Sequence, residues 1–428
     1  MNKIILVFIY LVSFLAMFFL GSENGTISIS IISLILLMHI YNLIKLCFKG
    51  MLTVIDVVIL FLSIYLYFGG VYYGSPEFRA LASKLFSVNI GNNQEIIDAI
   101  YLVFLSLLFF NAFISMLNLR LSPLKPIKYL QKKSVINIFG VVLLSVTIIF
   151  SFYVYMKTNG RYLHFSDEGE IYFNTLGSLI VYSSSFLVIA FSGYKHYEKK
   201  WFYVLTLMLV LLLTMMSVRM FAAVLLFSIL LNYQIRGGRF NVKVLLFLSL
   251  IFALIISRSI FRFQTFDMTN VLLTQMSLVG EFFIPSISTY YFFENAVDYN
   301  FLFNWTDLIT QMLPSNFRSF ARLYEFRLDY ISNGQDPWPI GGLLFVGQFY
   351  FYFSFFGFIV YFYMMYFLLR IKSNLQSEKF TLWYAVVPIF CMVLPRMELW
   401  TLRAVLVNIV LLIVFKVILS KPRKSVTS

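Results

Sequence analysis

Apolar residues run through this chain in unbroken blocks of roughly 17–25 positions, the length a helix needs to cross about 30 Å of hydrocarbon. The blocks do not alternate apolar with polar residues, so they are not strands. They predict spans near 3–20, 27–46, 53–73, 97–118, 135–156, 173–193, 201–217, 219–235, 242–260, 342–369, 381–395 and 399–419. The first block, Ile4 to Leu20, follows Lys3 as a signal peptide would. It is longer than such an apolar core, however, and ends in Gly21-Ser22-Glu23-Asn24 without a small-x-small site, so it reads as a retained span.

Trp201 to Ile235 is one apolar run, too long for a single tilted helix. Ser217-Val218-Arg219 interrupts it near the middle. A tight reversal there makes two short spans, whereas one long helix would strand an arginine in the bilayer. The longest polar stretch, about Arg258 to Ile340, is a loop rich in Phe, Tyr and Trp. Segments 271–294 and 315–330 have the amphipathic period of helices that lie on, or dip into, the membrane interface. The expectation is an all-α polytopic integral membrane protein of about 12 transmembrane helices with a large outer loop containing short amphipathic helices. Its parts are a bundle over 1–257, the loop over 258–340, further spans over 341–420 and a basic tail over 421–428.

Composition agrees: 61% of residues are hydrophobic and 12% charged, more apolar surface than a soluble fold of this size can hide. Lysine and arginine then set orientation. With the N-terminus inside, 21 of the 33 basic residues fall in inner segments, Lys45, Lys49, Lys133, Lys200, Arg370, Lys372 and the tail among them. Glu23, Glu77, Glu95, Asp167, Glu168 and Glu170 fall outside.

The kind of cation differs between the two sides. Of the 12 outer basic residues ten are arginine, against 5 of the 21 inner ones. Topology needs only charge, so lysine suffices inside. Arginine adds a planar fork that grips phosphate or carboxylate in a dry site, so the outer face is expected to bind an anion. The candidates are Arg219, Arg258, Arg262, Arg318, Arg322, Arg396 and Arg403. Arg258/Arg262 and Arg318/Arg322 are i,i+4 pairs and Arg396/Arg403 an i,i+7 pair, each on one helix face. Pairing with Glu281, Glu294, Asp298, Asp307, Glu325, Asp329, Asp336 and Glu398, or snorkelling to headgroups, are the structural alternatives.

Glu281, in Val279-Gly280-Glu281-Phe282, and Asp336, in Gln335-Asp336-Pro337-Trp338-Pro339, are the carboxylates placed to accept a proton from a hydroxyl. An Asx turn or cap is the structural alternative for Asp336. Tyr290, Tyr291, Trp305, Tyr324, Tyr330 and Trp338 suit sugar stacking or an interfacial belt. Cys47 and Cys391 lie in apolar surroundings, and the histidines share no ligand spacing, so no metal or cofactor is expected. Few carboxylates lie within spans, Asp56 being the clearest, and the halves are not repeats, which argues against transport.

The layout resembles the O-antigen polymerases, which polymerise oligosaccharide repeat units of bacterial surface polysaccharides. The likeness lies in the span number, the large outer loop, and the double span around Ser217-Val218-Arg219. It extends to Asp336-Pro337-x-Pro339-Ile340-Gly341-Gly342, Gly347-Gln348-Phe349-Tyr350, Phe356-Gly357 and Pro395-Arg396. The resemblance implies a glycosyltransferase at the outer face of the bacterial cytoplasmic membrane, with both termini cytoplasmic. It would move a growing glycan from undecaprenyl pyrophosphate onto the next lipid-linked repeat unit. The arginines would hold pyrophosphate, and Glu281 or Asp336 would activate the acceptor hydroxyl. Its partners would be undecaprenyl-pyrophosphate-linked oligosaccharides, the lipid bilayer and a chain-length regulator protein, with no nucleic acid. Two other functions fit the pattern: an O-antigen ligase transferring glycan to lipid A-core, and a lipid-linked oligosaccharide flippase. Members of the ligase type carry a histidine in the large outer loop, and 258–340 has none.

Overall fold

The computed structural model describes residues 25–86, 90–117, 133–157, 200–216, 219–235, 285–294, 345–353 and 356–374, with shorter stretches between 172 and 184 and the isolated positions 282, 387, 388, 410 and 413. Among these residues there is no strand. The helices are α1 (Gly25–Phe48), α2 (Val54–Gly74), α3 (Pro76–Phe86), α4 (Gln94–Leu117), α5 (Lys133–Lys157), α6 (Lys200–Met215), α7 (Arg219–Ile235), α8 (Phe345–Phe353) and α9 (Phe356–Ser373). Five stretches among the described residues are long and apolar enough to cross a membrane: Ile29–Phe48, Val54–Gly74, Gln94–Ser115, Gly140–Lys157 and Phe356–Ser373.

Local chemistry sets the helix ends. Gly50, at φ 63°, closes α1 with Gly50 N–H on the Cys47 carbonyl and Met51 N–H on the Leu46 carbonyl, the paired bonds of a Schellman cap. Thr53 and Asp56 form a capping box that starts α2. Ser75 ends α2 and caps α3: its hydroxyl accepts from Phe78 N–H and donates to Glu77, with Pro76 at the first helical position. Asn93 caps α4 through Glu95 N–H.

α2 is the hub, packed against α1, α4, α7 and α9. Its partners run antiparallel to it. Gly70 abuts Ile32 of α1, while Gly74, Gly69 and Ser63 meet Tyr101, Phe104 and Asn111 of α4. A Cβ on Gly69 would fall on the Phe104 ring, so small residues let these helices close up. Phe61 meets Phe227, and Val54 meets Gln234, fixing α7. Asn111 meets Tyr361, and Asp56 meets Lys372, fixing α9. The bundle thus has an Asp56 end and a Tyr73 end.

Two expectations about breaks fare differently. The run 201–235 is two helices, α6 and α7, packed along each other, so the reversal replaces the single long helix. The span expected over 342–369 is not one helix. Phe345 stacks on Tyr361 at 5.0 Å, and Gly357 abuts the Phe349 backbone, so α8 and α9 form a tight hairpin. α8, about 14 Å long, is too short to cross a bilayer. It starts level with Tyr361, at mid-bundle, and rises to the Tyr73 end.

Candidate functional site

Charge sorts the two ends. At the Asp56 end lie Lys45, Lys49, Lys200, Arg370 and Lys372. At the Tyr73 end lie Arg79, Lys84 and the start of α7 at Arg219, with Glu77, Glu95 and Asp98. Gln234 is level with Val54, and Phe227 with Phe61, so the start of α7 is level with about residue 69 of α2 by helical rise. α7 therefore starts, with its positive dipole end, one turn or so below the rim of the bundle, a geometry suited to an anion.

The polar framework at this end is built on Tyr73. Its hydroxyl donates to the Ser286 carbonyl at 2.8 Å and accepts from Tyr290 N–H at 3.1 Å, bridging an i,i+4 pair of the helical segment 285–294. Phe282, the residue after Glu281, packs against Tyr65 and Phe68 of α2 at 5.3 and 5.5 Å. Segment 285–294 also reaches α8. Phe293 stacks on Tyr350 at 3.8 Å, and a Cβ on Gly347 would meet Phe292 and the Thr289 backbone. Two stretches far apart in sequence, on either side of residues 295–344, are thus packed together, the first of them also against α2.

Pro285 to Tyr290 are all buried. This part of 271–294 sits inside the bundle and not along its surface. Tyr290 is correspondingly unavailable for sugar stacking: its ring lies edge-on to Tyr291 and its hydroxyl sits over Gly91, donating to Glu294 and accepting from Asn93 N–H. Glu294 is exposed.

Arg79, an outer arginine outside the candidate set, is engaged by the fold. Its guanidinium donates to the Tyr73 carbonyl at the C-terminus of α2, where a cation complements the helix dipole. Half-burial lowers its pKa, offset in part by Tyr72, Asp98, Tyr73 and Glu77. The Glu77 carboxyl is held below its usual range by its own backbone N–H, then by the Ser75 hydroxyl and Arg79.

Compared with known protein families, with characterised proteins and with solved structures, this chain matches none. The case for a function therefore rests on the residues themselves. Of those singled out by sequence, the structure gives Arg219 its place as the first residue of α7. Glu281, Asp336, Arg258, Arg262, Arg318, Arg322, Arg396 and Arg403 lie outside the described residues. Among the described residues no three His, Cys, Asp or Glu side chains converge as metal ligands.

Sequence reading missed Tyr73 and Lys372. Tyr73 is one of many aromatics, and nothing marks its hydroxyl as the one that anchors a distant segment. Lys372 reads as one more inner lysine that orients the protein. It is in fact withdrawn from solvent and ion-paired with Asp56.

Proposed function

We propose that this chain polymerises lipid-linked oligosaccharide repeat units of a bacterial surface polysaccharide. The growing glycan passes from undecaprenyl pyrophosphate to the terminal sugar of the next lipid-linked unit, at the outer face of the cytoplasmic membrane. The observation that carries the reading is the break that starts α7 at Arg219 at the Tyr73 end, opposite the lysine-rich Asp56 end. By the positive-inside rule the lysine-rich end is cytoplasmic, which turns the arginine-led helix start outward, towards the compartment of the lipid-linked glycan. A helix N-terminus with an arginine stabilises a leaving pyrophosphate without needing a proton donor. Arg258, Arg262, Arg396 and Arg403 are proposed to complete the pyrophosphate site, with Arg318 and Arg322 in reserve. Glu281 or Asp336 is proposed to accept the proton of the attacking hydroxyl.

The packing of Phe282 and of 285–294 against α2 and α8 supports this reading, because a loop that positions an acceptor sugar needs a rigid base. The test is gene deletion followed by glycan electrophoresis, with complementation by wild type and by Arg219→Ala. The proposal expects one repeat unit capping the core on deletion, long chains restored by wild type, and none by Arg219→Ala at unchanged protein level. Long chains that persist on the lipid carrier would indicate the ligase. Cytoplasmic accumulation of unpolymerised units would indicate the flippase. Full-length polymer with Arg219→Ala would overturn the pyrophosphate assignment.

A further inference from the structure

The half of the bundle nearer the Asp56 end holds a column of buried polar groups that the proposed chemistry does not use. Level with Ser63 of α2, Tyr361 donates to Asn111 Oδ1 at 2.7 Å, and Asn111 Nδ2 donates to Ser63 at 3.1 Å. Ile32 of α1 abuts Gly70, so helical register puts His39 near the Ser63 level and Asn42 one turn below it. Ser115, four residues beyond Asn111, lies one turn below as well. Two turns below Ser63 comes Asp56 with Lys372. Ser63, Asn111, His39, Asn42, Ser115, Asp56 and Lys372 are all buried, and they span about 10 Å of bundle.

Several members are unsatisfied. Among the described residues, both ring nitrogens of His39, Nδ2 of Asn42 and Oγ of Ser115 have no hydrogen-bond partner. Lys372 offers three N–H donors and meets Asp56 Oδ1 at 2.6 Å. An unpaired polar group in an apolar interior is costly, and here four such atoms are gathered in one stretch. Together they offer both donors and acceptors, and water supplies both complements.

We propose that α1, α2, α4 and α9 enclose an internal proton-exchange site centred on His39, with bound water as carrier, reached from the Asp56 end past the Asp56–Lys372 pair. The pair and the imidazole share one mobile proton. On Lys372 it leaves ammonium facing carboxylate. Moved to Asp56 it leaves a neutral acid and a neutral amine. Moved on to His39 it leaves imidazolium and carboxylate, with the amine neutral. The three arrangements carry the same net charge of zero, so no step brings a new charge into the low-dielectric interior. Among the described residues, the other titratable or charged groups on the surrounding elements are Tyr41, Lys45 and Cys47 on α1, Glu95 and Asp98 at the far end of α4, Tyr361, Tyr363, Tyr366 and the exposed Arg370 on α9, and the tyrosines of α2 and α4. α7 contributes Gln234, which is neutral.

Hydrogen exchange tests this directly. The full-length protein in lipid nanodiscs, labelled with ring-15N histidine, is moved into D2O. The His39 signal is assigned by its loss in His39→Gln. If the core is sealed, only the opening that exposes the helix exchanges the ring proton, so ring and backbone N–H of His39, each divided by its intrinsic unprotected rate, show one protection factor. The proposal expects the ring proton's protection factor to be at least about tenfold below that of the amide, a factor of ten being the worth of one hydrogen-bonded link. Asn42→Leu, Ser115→Ala and the paired change Asp56→Asn with Lys372→Met should each raise ring protection towards the amide value. Thr147→Val, in the separate Thr147–Ser183 contact, should leave it unchanged. Equal protection factors in the wild type overturn the proposal, as does a weakly protected ring proton indifferent to every column variant that folds.

Discussion

The ammonium of Lys372 lies 2.6 Å from Asp56 Oδ1 with both side chains withdrawn from solvent, at 0% and 1% exposure. Asp56 is held from its other oxygen by Thr53, through the backbone N–H at 2.9 Å and the hydroxyl at 2.7 Å. One carboxylate therefore caps α2 and ties it to α9. Removing either charge leaves the other buried and uncompensated, a loss of about 3–5 kcal/mol. Asp56→Leu and Lys372→Met, taken singly, should lower the unfolding midpoint much more than the two together. A thermal-unfolding cycle in detergent measures this, and additive effects would mean the pair contributes no coupling.

Close helix approach predicts two unequal glycine effects. A Cβ on Gly357 would lie within 3 Å of the Phe349 carbonyl carbon and oxygen, and backbone cannot swing aside. A Cβ on Gly70 meets first the tip of Ile32, a side chain that can rotate away. Gly357→Ala should destabilise by about 1–3 kcal/mol and splay the α8–α9 hairpin, with Gly70→Ala milder. Unfolding midpoints of the two variants decide it; equal values would count against the tight hairpin.

The two described arginines at the Tyr73 end should separate structure from chemistry. Arg79→Ala removes the cation over the α2 C-terminus and should cost stability, about 1 kcal/mol by helix-dipole magnitudes, while polymer is still made. Arg219→Ala should keep its stability and lose polymer. Glycan gels and unfolding curves on the same two proteins make the comparison, and reversed phenotypes would move the anion site to Arg79.

Glu77 supplies a pH test. Its folded pKa is lowered, so its contribution is fully present above the unfolded carboxylate range and is lost as pH falls through the folded value. Glu77→Gln should flatten the acid side of the stability–pH curve and leave the neutral plateau nearly unchanged. Unfolding midpoints across that range test it; an identical acid limb would show that the carboxylate adds nothing.

How much of this was readable from sequence depends on the range of the interaction. Apolar blocks and the Arg219 break are local: a charge inside an apolar run too long for one span forces a decision within a few residues. The α8–α9 break was hidden because 342–369 carries no charge to interrupt its apolar run, and the clue, Gly357, acts only through its contact with Phe349. Lys372 and Tyr73 were illegible for a related reason. Their partners, Asp56 and the 286–290 backbone, lie hundreds of positions away, and charge counting treats every lysine alike. The arginine bias between the two faces was readable as composition, but no pattern in one sequence says which arginines converge.

The Tyr73 hydroxyl offers the sharpest test of how the outer segments are held. It is buried, and it bridges the Ser286 carbonyl and the Tyr290 N–H, the i,i+4 partners of one helical turn. Tyr73→Phe keeps the ring against Phe104, at 5.7 Å, and so preserves the α2–α4 packing. It removes only the bridge, leaving polar backbone groups short of a partner at a cost of about 1–3 kcal/mol. The loss should be local. Amides of 285–294 should exchange faster, while those of α1, α2 and α4 keep their protection, because the polar column and the glycine contacts that hold the latter are untouched. If the bridge positions the loop for glycan transfer, polymer should also shorten without loss of protein. Unchanged exchange over 285–294 would show that Phe282, Phe292 and Phe293 hold the segment by packing alone.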